Sequence, residues 1–237
     1  MGQTDQPIED DKGNRILYSQ SSDSPRVDEL NVLFSGKNNL LRIAEGVSLK
    51  HVRFMFHGDN GVIDIGGTRQ GQKMTFIGLV RVGHSSTVQV GSDFSCSDWV
   101  FLTAVEGSTL VIGDDCMFSR GVQVRTHDTH GIYDVVTKKR VNTSESIYIG
   151  SHVWLAERVS VLGGSRIEDG SVIGIDSLVT GHIPNNAVAV GRPARVVRRN
   201  VAWERHSVYS APPGMTDVFG GIKAPDYWRL TEDQESE

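Results

Sequence analysis

From Ile149 onward an aliphatic residue returns every six positions: Ile149, Leu155, Val161, Ile167, Ile173 and Val179. Four residues after each stands a small or β-branched one: Val153, Val159, Ser165, Ser171, Ser177 and Ile183. A small residue directly follows most of the aliphatics, as Gly150, Ala156, Gly174 and Thr180, with Leu162 and Glu168 as departures. A helix repeats its apolar face every 3.6 residues and a half-buried strand every two. A phase of six fits neither, and a β-sandwich has no reason to hold it. It fits a solenoid of short flat faces, where one hexapeptide forms a side, three form a triangular coil, and the aliphatics stack inward. The expected fold is all-β, a left-handed parallel β-helix.

Upstream the period persists with interruptions. Val90, Cys96 and Leu102 are six apart, as are Ile112, Phe118 and Val124. A strand closed by glycine also recurs, ending at Gly66, Gly91, Gly113 and Gly150, with intervals of 25, 22 and 37 residues. The last interval exceeds three hexapeptides by about 19 residues. That excess marks an insertion at about 126–146, and a long excursion from a tight coil is a place to look for function. The expected organisation is a polar N-terminal arm over 1–28, a β-helix over 29–199 and a C-terminal cap and tail over 200–237. Within the last segment Val201–His206 reads as a short capping helix, since an open solenoid end needs a cover. Phe219, Tyr227 and Trp228 suggest that part of the tail packs on the body.

Composition narrows the function classes. The formal net charge is −5 with both signs mixed, which is no nucleic-acid footprint. No stretch approaches the length of a membrane span, and Met1–Asp5 does not open a signal peptide. Cys96 and Cys116 are too few for a disulfide scaffold and read as reduced, buried residues of a cytoplasmic protein. His127 and His130 lie three apart and His152 stands alone, so no metal site is expected.

The stretch from Ile147 through His152-Val153-Trp154 to Val190-Gly191-Arg192-Pro193-Ala194-Arg195, with the insertion His127-Asp128-Thr129-His130-Gly131-Ile132-Tyr133-Asp134, resembles the hexapeptide-repeat acyltransferases, in their sugar and polysaccharide O-acetyltransferase branch. The likeness runs over about 31–198. It departs from the family pattern at Leu155-Ala156, Gly163-Gly164 and Gly181-His182. The resemblance implies a homotrimer with active sites between subunits, acetyl-CoA as donor and a carbohydrate hydroxyl as acceptor.

Acetyl transfer to a hydroxyl needs a base for the proton and donors for the oxyanion. The resemblance makes His130 the catalytic base, and a neutral imidazole suits that task. His127 is a second candidate or an acceptor contact, beside Asp128 and Tyr133 as substrate-binding candidates. Asp128 or Asp134 is available to orient the imidazole. Trp154 follows an inward Val153 and so points outward, toward the active site or a subunit interface. Ala156, Gly174 and Thr180 are small enough for close approach of the pantetheine arm, although each also suits a coil corner. Arg192 and Arg195 match the family's closing motif and suit the phosphates of coenzyme A, against the alternative of a solvated basic cap. Lys138-Lys139-Arg140 reads as an exposed basic run. The expected function is an acetyl-CoA-dependent O-acetyltransferase; the alternatives are an amino-sugar N-acetyltransferase, an antibiotic acetyltransferase and a non-catalytic β-helix scaffold.

Overall fold

The structure, a computed structural model, describes residues 8–18, 26–28, 31–68, 74–205, 208–210 and 227–232. Three sheets form the faces of a parallel solenoid. The first face runs from Ile8–Glu9 and Arg15–Tyr18 through Leu40–Ile43, Val62–Ile65, Thr87–Val90, Thr109–Ile112, Ile147–Ile149 and Arg166–Ile167 to His182–Ile183. The second holds Ser95–Cys96, Met117–Phe118, Trp154–Leu155, Val172–Ile173, Val188–Gly191 and Ala194–Arg198. The third holds Arg26–Asp28, Val47–Phe56, Met74–Val82, Val100–Ala104, Gln123–Arg125, Ser160–Leu162 and Leu178–Val179, with Asn31–Phe34 also on Val47–Phe56. From Thr87 to Ile183 the chain visits first, second and third face in turn. Strands pair in parallel except Ile8–Glu9 with Arg15–Tyr18 and Val188–Gly191 with Ala194–Arg198.

The six-residue phase is the core. Ile149, Leu155, Val161, Ile167, Ile173 and Val179 are at most 1% exposed. Partners 18 apart lie in direct register: Ile149 on Ile167, Leu155 on Ile173, Val161 on Val179. The second inward position takes serines because each finds a partner. The Ser165 and Ser171 hydroxyls donate to the carbonyls of Val179 and Pro184, and the Ser177 hydroxyl accepts from the Gly191 amide. Buried hydroxyls without such bonds would cost stability. In the upper coils Phe94 packs edge-on between Phe76 and Phe118, with ring centroids 5.2 and 5.0 Å away.

Glycine closes the first-face strands for a steric reason. A Cβ on Gly66 would lie 2.6 Å from the Gly91 carbonyl carbon, and one on Gly91 or Gly113 would meet the next coil at the same distance. From Asp93 on, the corner before the second face takes a left-handed residue in each coil. It is filled by Asp93, Asp115, His152, Gly170 and Asn186, all at φ between 50 and 69°, residue types that tolerate this region.

Two readings change. Residues 8–18 lie within the segment expected as a loose arm, yet they form strands. Arg15–Tyr18 pairs in parallel with Leu40–Ile43, and the buried Asn14 accepts at Oδ1 from the amide and side chain of Asn39. Residues 201–205 form no helix; an irregular segment tucks Trp203 against the second-face corner, where its ring is 7% exposed. His206 and Phe219 lie outside the described residues. Replacing Phe94 by alanine should open a cavity in the aromatic stack and cost about 3–5 kcal/mol. A urea midpoint equal to wild type would contradict this account of the core.

Candidate active site

The insertion leaves and returns at one point. Glu145 N donates to Thr126 O at 3.1 Å, closing the base of a loop over 127–144. Gly163 is required beneath it, since a Cβ there would lie 2.9 Å from Thr126 O. That closeness accounts for one departure from the family pattern. The loop is an ordered hairpin, with Val141 N donating to Ile132 O and Asp134 N to Lys139 O, both at 2.9 Å.

Asn142 organises the segment carrying His130. Its Nδ2 donates to the His130 carbonyl at 2.8 Å and to Asp128 Oδ2 at 3.0 Å, while its Oδ1 accepts from Ile132 N at 2.7 Å. Glu106, on the preceding coil, ties down the returning strand through Arg140 and through the Ser144 hydroxyl at 2.7 Å. These bonds hold the Glu106 carboxyl far below its usual range, at about 2. Neither Asn142 nor Glu106 stood out in the sequence as a site residue. Only their cross-loop partners distinguish them.

The two loop histidines differ in what their rings do. His127 accepts from Thr129 N at Nδ1 (2.9 Å), so its proton sits on Nε2, which faces the Thr103 hydroxyl at 3.1 Å. Burial, then the charge of Arg125, pushes its pKa down. His127 is therefore a neutral ring with its lone pair already used. The His130 ring is exposed and makes no hydrogen bond among the described residues. Asp134 is committed elsewhere: its Oδ1 accepts from the amides of Val136 and Thr137 at 3.0 and 2.6 Å. Asp128 is likewise engaged, its Oδ2 accepting from Asn142, so neither carboxylate available for orienting His130 contacts its ring. Tyr133 is exposed and bridges to Arg140.

Trp154 points outward on the second face, and its indole N–H is buried without an acceptor. An orphaned donor costs about 1–3 kcal/mol and is what a site awaiting a ligand oxygen would leave. Ala156 follows it at the corner, with Gly174 one coil on. A Cβ on Gly174 would meet Val190 at 2.6 Å, so packing alone explains that glycine. Thr180 lies away from these, at the end of the third face two coils from Arg125. Arg192 donates to the Asp176 carbonyl at 2.7 Å and Arg195 to that of Ala194 at 2.9 Å; both are exposed. The loop leaves the corner between third and first faces, which in a triangular coil lies opposite the second face. One chain therefore does not bring His130 to Trp154.

His152, expected to stand alone, is the centre of a clamp. Its ring is stacked between Trp203 and Tyr227, at centroid distances of 4.1 and 4.5 Å. Nδ1 lies 2.5 Å from Asp115 Oδ2 and Nε2 3.1 Å from Trp203 O. Arg205 reaches Asp115 Oδ1 at 2.5 Å and Ser95 Oγ at 2.6 Å. Trp203 also contacts Trp154, ring centroids 5.9 Å apart. The tail thus packs against the candidate site residue on this face. Burial raises the Asp115 pKa, but the His152 hydrogen bond and the Arg205 charge outweigh it and leave it below 3.8. Among the described residues no cluster suits a metal ion, and no helix is long and apolar enough to cross a membrane.

Comparison with known proteins finds similarity to carbohydrate acetyltransferases. The polysialic acid O-acetyltransferase of Escherichia coli O1:K1 / APEC is 33% identical over 126 residues, 53% of this chain and 38% of that protein. The putative lipopolysaccharide biosynthesis O-acetyl transferase WbbJ of Escherichia coli K12 is 31% identical over 148 residues, 57% of this chain and 71% of that one. The crystal structure of the polySia-specific acetyltransferase NeuO matches with a TM-score of 0.72 at 32% identity, covering 82% of this chain and 86% of that one. The chain spans less than half the length of two curated relatives it matches, 38% and 47%. No family model matches the chain.

The clamp makes tail docking acid-sensitive. A carboxyl whose pKa is depressed on folding stabilises fully above its unfolded value, and that contribution is lost as pH falls through the folded one. Hydrogen-exchange protection of residues 201–205 and 227–232 should hold from neutral pH to about 4 and fall below it. Asp115→Asn should release these residues at neutral pH while the coils stay protected. Protection that ignores both changes would rule the clamp out.

Proposed function

The chain belongs to the hexapeptide-repeat, left-handed β-helix acetyltransferases, and from that premise we propose that it is an O-acetyltransferase moving an acetyl group from acetyl-CoA to a hydroxyl of a sugar or surface polysaccharide. The observation that carries the reading is the His130 loop. The coil is interrupted once at this length, and Asn142 holds the backbone of His130 while its ring stays free. A scaffold has no use for that arrangement.

In this reading His130 takes the proton of the acceptor hydroxyl as the oxygen attacks the acetyl carbonyl. A carbon–oxygen bond forms, the carbon–sulfur bond breaks, and His130 returns the proton to the departing thiolate. Asp128 or Asp134 is the carboxylate that orients the imidazole once substrate is bound. His127 cannot serve as base without giving up its bond to Thr129 N, so it shapes the loop. The Trp154 indole N–H supplies a donor for a substrate oxygen. Small Ala156 and Gly174 and basic Arg192 and Arg195 lie along one route for coenzyme A, with Thr180 contributed from the other side.

The working unit in this reading is a homotrimer in the cytoplasm. Two features support assembly. His130 and Trp154 lie on opposite sides of one prism, and the loop exposes apolar side chains that a neighbour would cover, with Val135 and Val136 78% and 85% exposed. The two cysteines are free and buried, and burial pushes both thiols up to about 12.

Thiol release from acetyl-CoA, measured against a panel of neutral, acidic and amino sugars, tests the proposal. Acceptor-dependent release is expected for wild type. His130→Ala should lower kcat by about 10²–10⁴ with little change in the KM for acetyl-CoA. Absence of acceptor-dependent release would sink the function, and full activity in His130→Ala would sink the base assignment.

A further inference from the structure

Two arginines converge on the outer side of the third face beside the His130 loop. Thr103 lies in register with Arg81 on one neighbouring strand and Arg125 on the other. Phe101 precedes it by two residues and so shares the outward side. Both guanidiniums lean over the Phe101 ring, with Cζ 5.6 and 5.7 Å from its centroid. Thr103 points outward yet is fully buried beneath them, with its hydroxyl on His127.

Among the described residues nothing neutralises this positive charge: no carboxylate pairs with Arg81 or Arg125, and the Nε donors of both are buried without an acceptor. The Arg81 side chain has one hydrogen-bond partner among the described residues, Met55 Sδ at 3.9 Å, and that of Arg125 has one, the Thr129 hydroxyl at 3.2 Å. The nearby acids are engaged elsewhere, Glu106 with Arg140 and Asp128 with Asn142. Two like charges gathered over one ring and half-desolvated are costly without an anion between them. A planar guanidinium fork matches a carboxylate, and an aromatic ring beside it suits the apolar face of a pyranose.

We propose that Arg81, Phe101 and Arg125 form an acceptor subsite that recognises the carboxylate of an acidic saccharide. The inference rests on the acetyltransferase reading and adds to it the class of acceptor. The subsite is coupled to the loop: Arg125 bonds Thr129, and His127 bonds both Thr129 and Thr103. A carboxylate held there would set one sugar residue next to His130.

The test compares a sialic acid oligomer and a uronic acid oligomer, each beside its carboxyl-reduced counterpart. Acetyl transfer is measured with acetyl-CoA, and equilibrium binding without it. Wild type should favour the acidic forms in both kcat/KM and affinity, less so at high salt. Arg81→Gln and Arg125→Gln should each cut that preference by about ten- to a hundred-fold, and Arg125→Lys should cut it less. Lys37→Gln, an exposed charge on a distant coil, serves as the control, and thermal melts verify that each variant folds. Equal use and equal binding of acidic and reduced saccharides by wild type would overturn the subsite. So would a rise in the KM for acetyl-CoA alone, which would give the guanidiniums to the donor's phosphates. A loss of oligomeric mass in the variants would also overturn it, by giving them to a neighbouring subunit. If wild type releases no thiol with any saccharide, the transferase reading fails, while the binding comparison still decides the subsite.

Discussion

Each coil of the solenoid satisfies the backbone groups of the coil beside it, so successive faces must keep the same phase whatever the length of the corners between them. A residue added within a face would turn the inward aliphatics outward. Ile149, Ile167 and Ile183 stack because no face between them gains or loses a residue; the final coil shortens only at its corner. Extra chain can enter at corners alone, and it must leave and return where the ladder is already satisfied. The Thr126–Glu145 bond meets that demand, and the bare Gly163 beneath it makes the room. The position of the loop, and so of His130, follows from the geometry of the ladder.

The same constraint decides what a reader of the sequence can see. The faces repeat, so their inward residues were legible, and the intervals between glycines located the insertion to within a residue or two of its observed ends. The loop was legible as a place and not as a structure. Asn142 and Glu106 have no period to betray them, and their partners sit 10 to 38 residues away. The Arg81–Phe101–Arg125 cluster was hidden for another reason. Outward positions of a solenoid carry no phase requirement, and residues 22 apart become neighbours only once coil lengths are known. The N-terminal strands were missed because Arg15–Tyr18 is only four residues long and its adjacent Ile16 and Leu17 show no alternation. It is placed by Asn14 and by its pairing with the next coil.

His152 shows how a corner can take on a second task. Its backbone occupies the left-handed column also filled by Asp93, Asp115, Gly170 and Asn186. Aspartate, asparagine and glycine are the ordinary solutions there, and a histidine at φ 53° carries a modest strain. The clamp offsets that strain: both ring nitrogens face acceptors, the ring lies between two aromatic planes, and Asp115 from the coil before is its partner. Because Trp203 closes the clamp and also touches Trp154, the corner, the tail and the second-face candidate residue form one packed unit.

The placement of the two candidate residues on a corner loop and on the opposite face has a physical consequence. Within one chain the rigid ladder fixes the separation of His130 and Trp154, and no side-chain rotation can close it. If both act on one acetyl group, the geometry must be set by docking between copies of the prism. Each side carries a group left unsatisfied in the single chain: an apolar, exposed loop tip around Val135 and Val136, and an outward indole whose N–H has no acceptor of its own. Assembly would then do the positioning that a flexible lid does in a single-chain enzyme. It would also explain why the loop is tied down by Asn142 and Glu106 and is not free to swing.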